Sequence, residues 1–165
     1  LSPNLQFREG SLEFLSMLHK ANIPLVIISS AGLGGDSIRL LLKRENSLYD
    51  NIHIVSNEYQ WDKNGNAVEV KDPIIHSLIK NESSLKNFPF YEDIKPRKNI
   101  LLLGDSLGDL DMITGFDYDS LISIGFYNYK DNSGLKAYRE KFDVVIANEG
   151  DFSYVNKIVK EIIKP

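Results

Sequence analysis

Cysteine is absent from the chain, which excludes a disulfide framework, a thiolate nucleophile and any cysteine-ligated metal, and leads us to expect a reducing compartment, the cytoplasm by default. No apolar run approaches the roughly 18 residues that a spanning helix needs, and the first twenty residues lack the basic, apolar and small-residue order of a signal peptide, so no membrane partner is expected. An excess of basic residues is also lacking. Lys and Arg number 19 against 23 Asp and Glu, a net charge of −4, which repels a phosphate polymer and argues against a nucleic-acid partner while leaving room for a small anionic ligand. Repeats, low-complexity tracts and linkers are missing too. What is present is ordinary globular material: 165 residues, 42% hydrophobic, 25% charged and 10% aromatic. That composition predicts a packed core, and the length predicts one domain spanning 1–165.

The apolar pattern alternates between strands and helices. Leu12, Phe14, Leu15 and Leu18 predict an amphipathic helix over 11–21, and Leu25 to Ile28, β-branched and bounded by Pro24 and small residues, predicts a strand buried on both faces. A helix is expected over about 35–46 and a strand at Ile52 to Val55. The stretch 59–70 alternates around Asn64-Gly65 and predicts a protruding hairpin. Pro73 opens an expected helix that Lys80 closes. Residues 81–97 read as a long irregular connection, after which Ile100 to Leu103 form a third buried strand. A helix over 108–114, a strand at 121–124, a helix near 134–140, a strand at 144–146 and a last helix over 151–164 complete the order. Strands alternating with helices imply an α/β fold, a Rossmann-like parallel sheet flanked by helices.

In such sheets ligands bind beyond the carboxyl ends of strands. The third strand runs into Gly104-Asp105-Ser106-Leu107-Gly108-Asp109-Leu110-Asp111, three carboxylates beside two glycines. Carboxylate oxygen suits Mg²⁺, which takes one or two such ligands and completes its shell with phosphate and water; the competing reading is that Ser106 or Asp109 caps the next helix. The first strand runs into Ser29-Ser30-Ala31-Gly32, where a hydroxyl and backbone N–H groups before a helix would suit an anion or simply cap that helix. Lys80 is either a fixed cation for a phosphoryl oxygen or a favourable charge at a helix end.

Together these pieces resemble the haloacid dehalogenase-like phosphohydrolases, with Ser30, Lys80, and Asp105 with Asp109 in that superfamily's order. The stretches Ile28 to Gly34, Val55-Ser56-Asn57 and Leu103 to Leu110 resemble, more narrowly, its cytosolic pyrimidine 5′-nucleotidase branch, over nearly all 165 residues. The resemblance implies hydrolysis of a nucleoside 5′-monophosphate to nucleoside and phosphate with Mg²⁺ as cofactor. It implies that Ser30, Ala31, Gly32 and Lys80 hold the phosphoryl group, Ser30 and Lys80 taking part in catalysis. Asp105 and Asp109 would serve the metal, and Ser106 would orient its neighbours. Lys71 is a rival for the lysine role, but its offset from the acidic loop fits less well.

One part of the superfamily's pattern has no counterpart: the early strand ending Asp-x-Asp-x-Thr, which carries nucleophile and general acid and lies mid-sheet, and the helical cap that goes with it. Asp117-Tyr118-Asp119-Ser120 follows Gly115-Phe116 instead of a buried β-branched run and reads as a turn. The expectation is therefore a C-terminal portion of a longer enzyme, inactive alone, whose sheet another N-terminal segment would complete. Other accounts are a non-catalytic module that binds phosphate or nucleotide, and a phosphatase for another small phosphomonoester. His19, His53 and His76, the aromatics Trp61, Tyr127 and Tyr129, and the basic run Lys95, Arg97 and Lys98 receive ordinary packing or surface roles.

Overall fold

The computed structural model describes residues 6–30, 34–71 and 82–164, and the chain resolves into two compact units, Leu1–His76 with Asp151–Pro165, and Ser77–Gly150.

In the first unit, α1 (Ser11–Lys20) turns Phe14, Leu15 and Leu18 inward and meets α6 (Ser153–Ile162), which presents Val155 and Val159. The Phe14 and Phe152 rings pack 5.4 Å apart. The buried Asn156 amide joins the two helices by donating to the Gly10 carbonyl and the Glu13 carboxylate, at 2.9 and 3.2 Å. Strand β1 (Leu25–Ser29) pairs in parallel with β2 (Ile52–Ser56), Leu25 opposite Ile52 and Ser29 opposite Ser56, with α2 (Gly34–Arg44) as the crossover between them. The β1 side chains are half-buried, where burial on both faces was expected; β2 is the one strand paired with it among the described residues. The expected hairpin is present as β3 (Glu58–Trp61) against β4 (Ala67–Lys71). Its turn is tied by Asp62, whose carboxylate accepts from the Asn64 and Asn66 backbone N–H groups, both at 2.8 Å. Every residue of β4 is exposed, so the hairpin protrudes.

In the second unit, β5 (Asn99–Gly104), β6 (Ser120–Tyr127) and β7 (Val144–Ala147) form a parallel sheet in that order. Strand β6 runs three residues beyond the apolar core of the predicted strand, because Phe126 and Tyr127 are also buried. Helix α5 (Leu135–Lys141) crosses from β6 to β7, and Tyr127, Tyr138 and Phe142 form a buried aromatic cluster there. Burying such rings stabilises by about 1.5–3 kcal/mol each. Two expectations need correction. The stretch 81–97 is not irregular throughout: it holds two short helices, α3 (Glu82–Leu85) and α4 (Tyr91–Ile94). They form because Leu85, Phe90 and Tyr91 have apolar surface to bury. The helix expected over 108–114 is a 3-10 helix, Leu107–Ile113, the tighter winding that short connectors adopt.

The parallel, helix-flanked strands make this an α/β fold, as expected. No helix among the described residues is long and apolar enough to cross a membrane.

Candidate functional site

The acidic loop is built around one buried carboxylate. Strand β5 ends at Gly104 and the chain turns into the 3-10 helix, leaving backbone N–H groups without strand or helix partners. The Asp109 side chain folds back to supply them: its Oδ2 accepts from the Asp105 and Ser106 N–H groups, both at 3.0 Å. Ser106 is extended at the N-cap and its hydroxyl accepts from the Asp109 N–H, completing a reciprocal capping box. Asp109 is only 4% exposed. Gly104 makes this packing feasible, since a Cβ there would lie 2.6 Å from the Asp109 Cβ and 3.0 Å from its Oδ2.

Asp105 has the opposite surroundings. It is exposed, and the backbone on both sides of it is held. Its N–H donates to Asp109, and its carbonyl accepts from the Tyr138 hydroxyl at 2.7 Å. Tyr138 has its phenol pushed above the ordinary tyrosine value, first by burial and then by Tyr129 and the Asp105 carboxylate, so it stays protonated and remains a donor. The capping role weighed for Ser106 and Asp109 is thus the one their hydrogen bonds perform, and Asp105 is the carboxylate the loop presents outward.

Among the described residues, no group of three or more His, Cys, Asp or Glu stands together as a ready metal cage. Mg²⁺ asks for less, one or two carboxylates with substrate oxygen and water. The exposed Asp105 on a doubly held backbone fits that donor set.

Ser30 directly follows the last residue of β1 and is half-buried. Ala31, Gly32 and Lys80 lie outside the described residues. What the first unit does show is how two of the motif stretches meet. The Gly35 N–H, at the start of α2, donates to the Asn57 carbonyl at 3.1 Å. A Cβ on Gly34, at φ +70°, would lie 3.0 Å from that same oxygen and 2.9 Å from the Tyr59 ring. A Cβ on Gly35 would approach the Ser56 hydroxyl to 2.5 Å. The glycines therefore let α2 begin against the end of β2. The rival Lys71 sits at the hairpin's end, 53% exposed and 4.0 Å from Glu58; that is a surface pair of small energetic weight.

Two features escape a reading of the sequence. Tyr138 is one, 33 residues from the carbonyl it holds. The other is Glu82, two residues beyond Lys80 in the sequence. Its N–H donates to the Thr114 carbonyl at 3.1 Å, and its carboxylate accepts from the buried Tyr91 hydroxyl. Glu82 is held below the usual carboxylate range, mainly by that bond, and Tyr91 is pushed up to about 12 by the same partner. Segment 82–91 is thereby fastened to the far end of the acidic 3-10 helix. The turn expected over 117–120 is not formed: 117–118 are irregular, with a bend at Asp119 before β6 begins at Ser120. Lys98 holds this stretch, pairing with the Asp117 carboxylate while the Asp119 N–H donates to the Lys98 carbonyl at 2.8 Å.

A family model, pyrimidine 5′-nucleotidase (UMPH-1), matches residues 2–163. The chain belongs to the pyrimidine 5′-nucleotidase family. A relative from Caenorhabditis elegans, a putative cytosolic 5′-nucleotidase 3, is 36% identical over 157 residues, covering 93% of this chain and 42% of that protein. The human 7-methylguanosine phosphate-specific 5′-nucleotidase is 33% identical over 161 residues, covering 97% and 53%. The crystal structure of cytosolic 5′-nucleotidase IIIB bound to cytidine superposes with a TM-score of 0.83 at 29% identity, over 94% of this chain and 52% of that one. The chain thus spans about half the length of the pyrimidine 5′-nucleotidase relatives it matches. The recognition made from the acidic loop and the two shorter stretches is borne out.

Proposed function

We propose that the protein carrying this chain is a Mg²⁺-dependent 5′-nucleotidase that converts a nucleoside 5′-monophosphate to nucleoside and phosphate. The observation that carries the reading is the loop Gly104–Asp109, where a buried Asp109 organises the backbone and an exposed Asp105 is left facing outward. Asp105 would hold the metal. Asp109, with one oxygen committed to two N–H groups, would serve it by fixing the loop. Bound Mg²⁺ would offset charge on the phosphoryl oxygens and help orient the group for attack. The Ser30 hydroxyl, with the Ala31 and Gly32 N–H groups, would bind the phosphoryl oxygens, and Lys80 would neutralise their charge. The attacking carboxylate is assigned to no residue of 1–165. A cytoplasmic location belongs to the same reading, supported by the name of the Caenorhabditis elegans relative.

The base is read first as a pyrimidine, after the family's description and the cytidine in the related structure. The names of several relatives favour 7-methylguanine as a second base. Phosphate release by the intact protein from cytidine, uridine and 7-methylguanosine 5′-monophosphates, with and without Mg²⁺, tests all of this. Asp105→Asn is expected to lower kcat by at least about 10²-fold, the scale of losing one electrostatic contact to the transition state. Unchanged turnover in that variant would refute the assignment. Equal release from serine phosphate would point to another phosphomonoester, and nucleotide binding without turnover to a binding module.

A further inference from the structure

The geometry points to Tyr138 as a positioning residue for Asp105, an inference that rests on the metal reading of the acidic loop. A carboxylate on a turn is useful to a cation only if its Cα–Cβ bond is aimed, and that direction is set by the two peptide planes flanking the residue. Both planes are pinned at Asp105, on one side by its N–H to the Asp109 Oδ2 at 3.0 Å and on the other by its carbonyl from the Tyr138 hydroxyl at 2.7 Å. Only the side-chain torsions stay adjustable. Few free torsions mean less entropy lost when the carboxylate takes up a ligand.

Tyr138 is itself immobilised. It is buried, meets the Tyr127 ring edge-on at 5.0 Å and packs on Phe142 at 5.6 Å.

Tyr127 supplies an internal control, because it is buried in the same cluster and its hydroxyl is spent elsewhere, donating to the Asp131 carbonyl at 2.8 Å and accepting from the Gly134 N–H at 3.1 Å. Tyr138→Phe and Tyr127→Phe each keep the ring and remove one buried hydroxyl, so a purely structural role predicts matching behaviour. In the intact protein, Mg²⁺ binding without substrate, followed by calorimetry, is expected to weaken about five- to tenfold in Tyr138→Phe and to be unchanged in Tyr127→Phe, with similar melting temperatures. Exchange of the Ser106 amide is expected to accelerate in Tyr138→Phe alone. Wild-type affinity and Ser106 exchange in Tyr138→Phe, while Asp105→Asn loses Mg²⁺, would overturn the positioning role and leave the metal reading standing. Wild-type protein that takes up no Mg²⁺, or Asp105→Asn that binds it normally, would overturn both.

Discussion

Gly104→Ala should damage the acidic loop far more than its steric twin does. Gly104 and Gly125 are register partners on β5 and β6, and a Cβ on either meets a neighbour at 2.6 Å, Asp109 Cβ in one case and the Phe142 ring in the other. Relief to ordinary contact near 3.5–4.0 Å requires a shift of about 1 Å. For Gly125→Ala the shift is paid by a ring, an overpacking cost of about 1–3 kcal/mol. For Gly104→Ala the same shift moves a carboxylate whose Oδ2 holds two N–H groups at 3.0 Å, beyond hydrogen-bonding reach. Bonds to a charged acceptor contribute about 1.5–3 kcal/mol each. Water can serve the exposed Asp105 and cannot fully serve Ser106, so about 2–3 kcal/mol is added. The totals are about 3–6 kcal/mol for Gly104→Ala against about 1–3 kcal/mol for Gly125→Ala. Urea unfolding monitored by circular dichroism measures both, and Mg²⁺ titration adds a second readout in which only Gly104→Ala should lose affinity. Equal destabilisation by the two variants, with Mg²⁺ binding intact in both, would refute the idea that Asp109 clamps this loop.

Three further expectations concern other parts of the chain. With a phenol raised from 10 to about 12 by Glu82, the Tyr91 contribution is fully present below pH 10 and disappears between pH 10 and 12; the stability gap between wild type and Tyr91→Phe should therefore close across that window in denaturant titrations. Ser123→Ala should cost about 1–2 kcal/mol in chemical denaturation, because the Ser123 hydroxyl donates to the Asp143 carboxylate at 2.7 Å and accepts from the Asp143 N–H at 3.0 Å. The same serine holds Asp143 below its ordinary value, a stabilisation present above about pH 4 and lost as the carboxylate protonates at lower pH, so the Ser123→Ala penalty should shrink in acid. Asn156→Asp places a second carboxylate beside Glu13 and removes the donor to Gly10; a loss of about 2–4 kcal/mol is expected in thermal melts at neutral pH, with partial recovery near pH 4.

Much of this molecule could be read from local pattern. The short, mostly apolar runs at 25–28, 52–55 and 100–103 mark strands that pair in parallel, and the Asn64-Gly65 turn shows a hairpin through a constraint confined to a few residues. The acidic string 104–111 was equally visible, although its residues suited a metal loop and a helix cap alike. What sequence left open there was the division of labour among those carboxylates. Burial decides it: Asp109 turns inward to satisfy two backbone groups, and Asp105 stays exposed.

The sequence by itself determined the order of the strands, the hairpin and the membership of the acidic loop in a recognisable phosphohydrolase pattern, because each depends on residues close along the chain. Tertiary structure alone decided that Tyr138 holds the Asp105 carbonyl, that Glu82 is fastened to Thr114 and Tyr91, and that Gly34 and Gly35 at the start of α2 lie against Asn57 and Ser56. Those contacts join residues separated by nine to more than thirty positions. No periodicity records them, since a hydroxyl reaching a distant carbonyl leaves no trace in the spacing of apolar side chains.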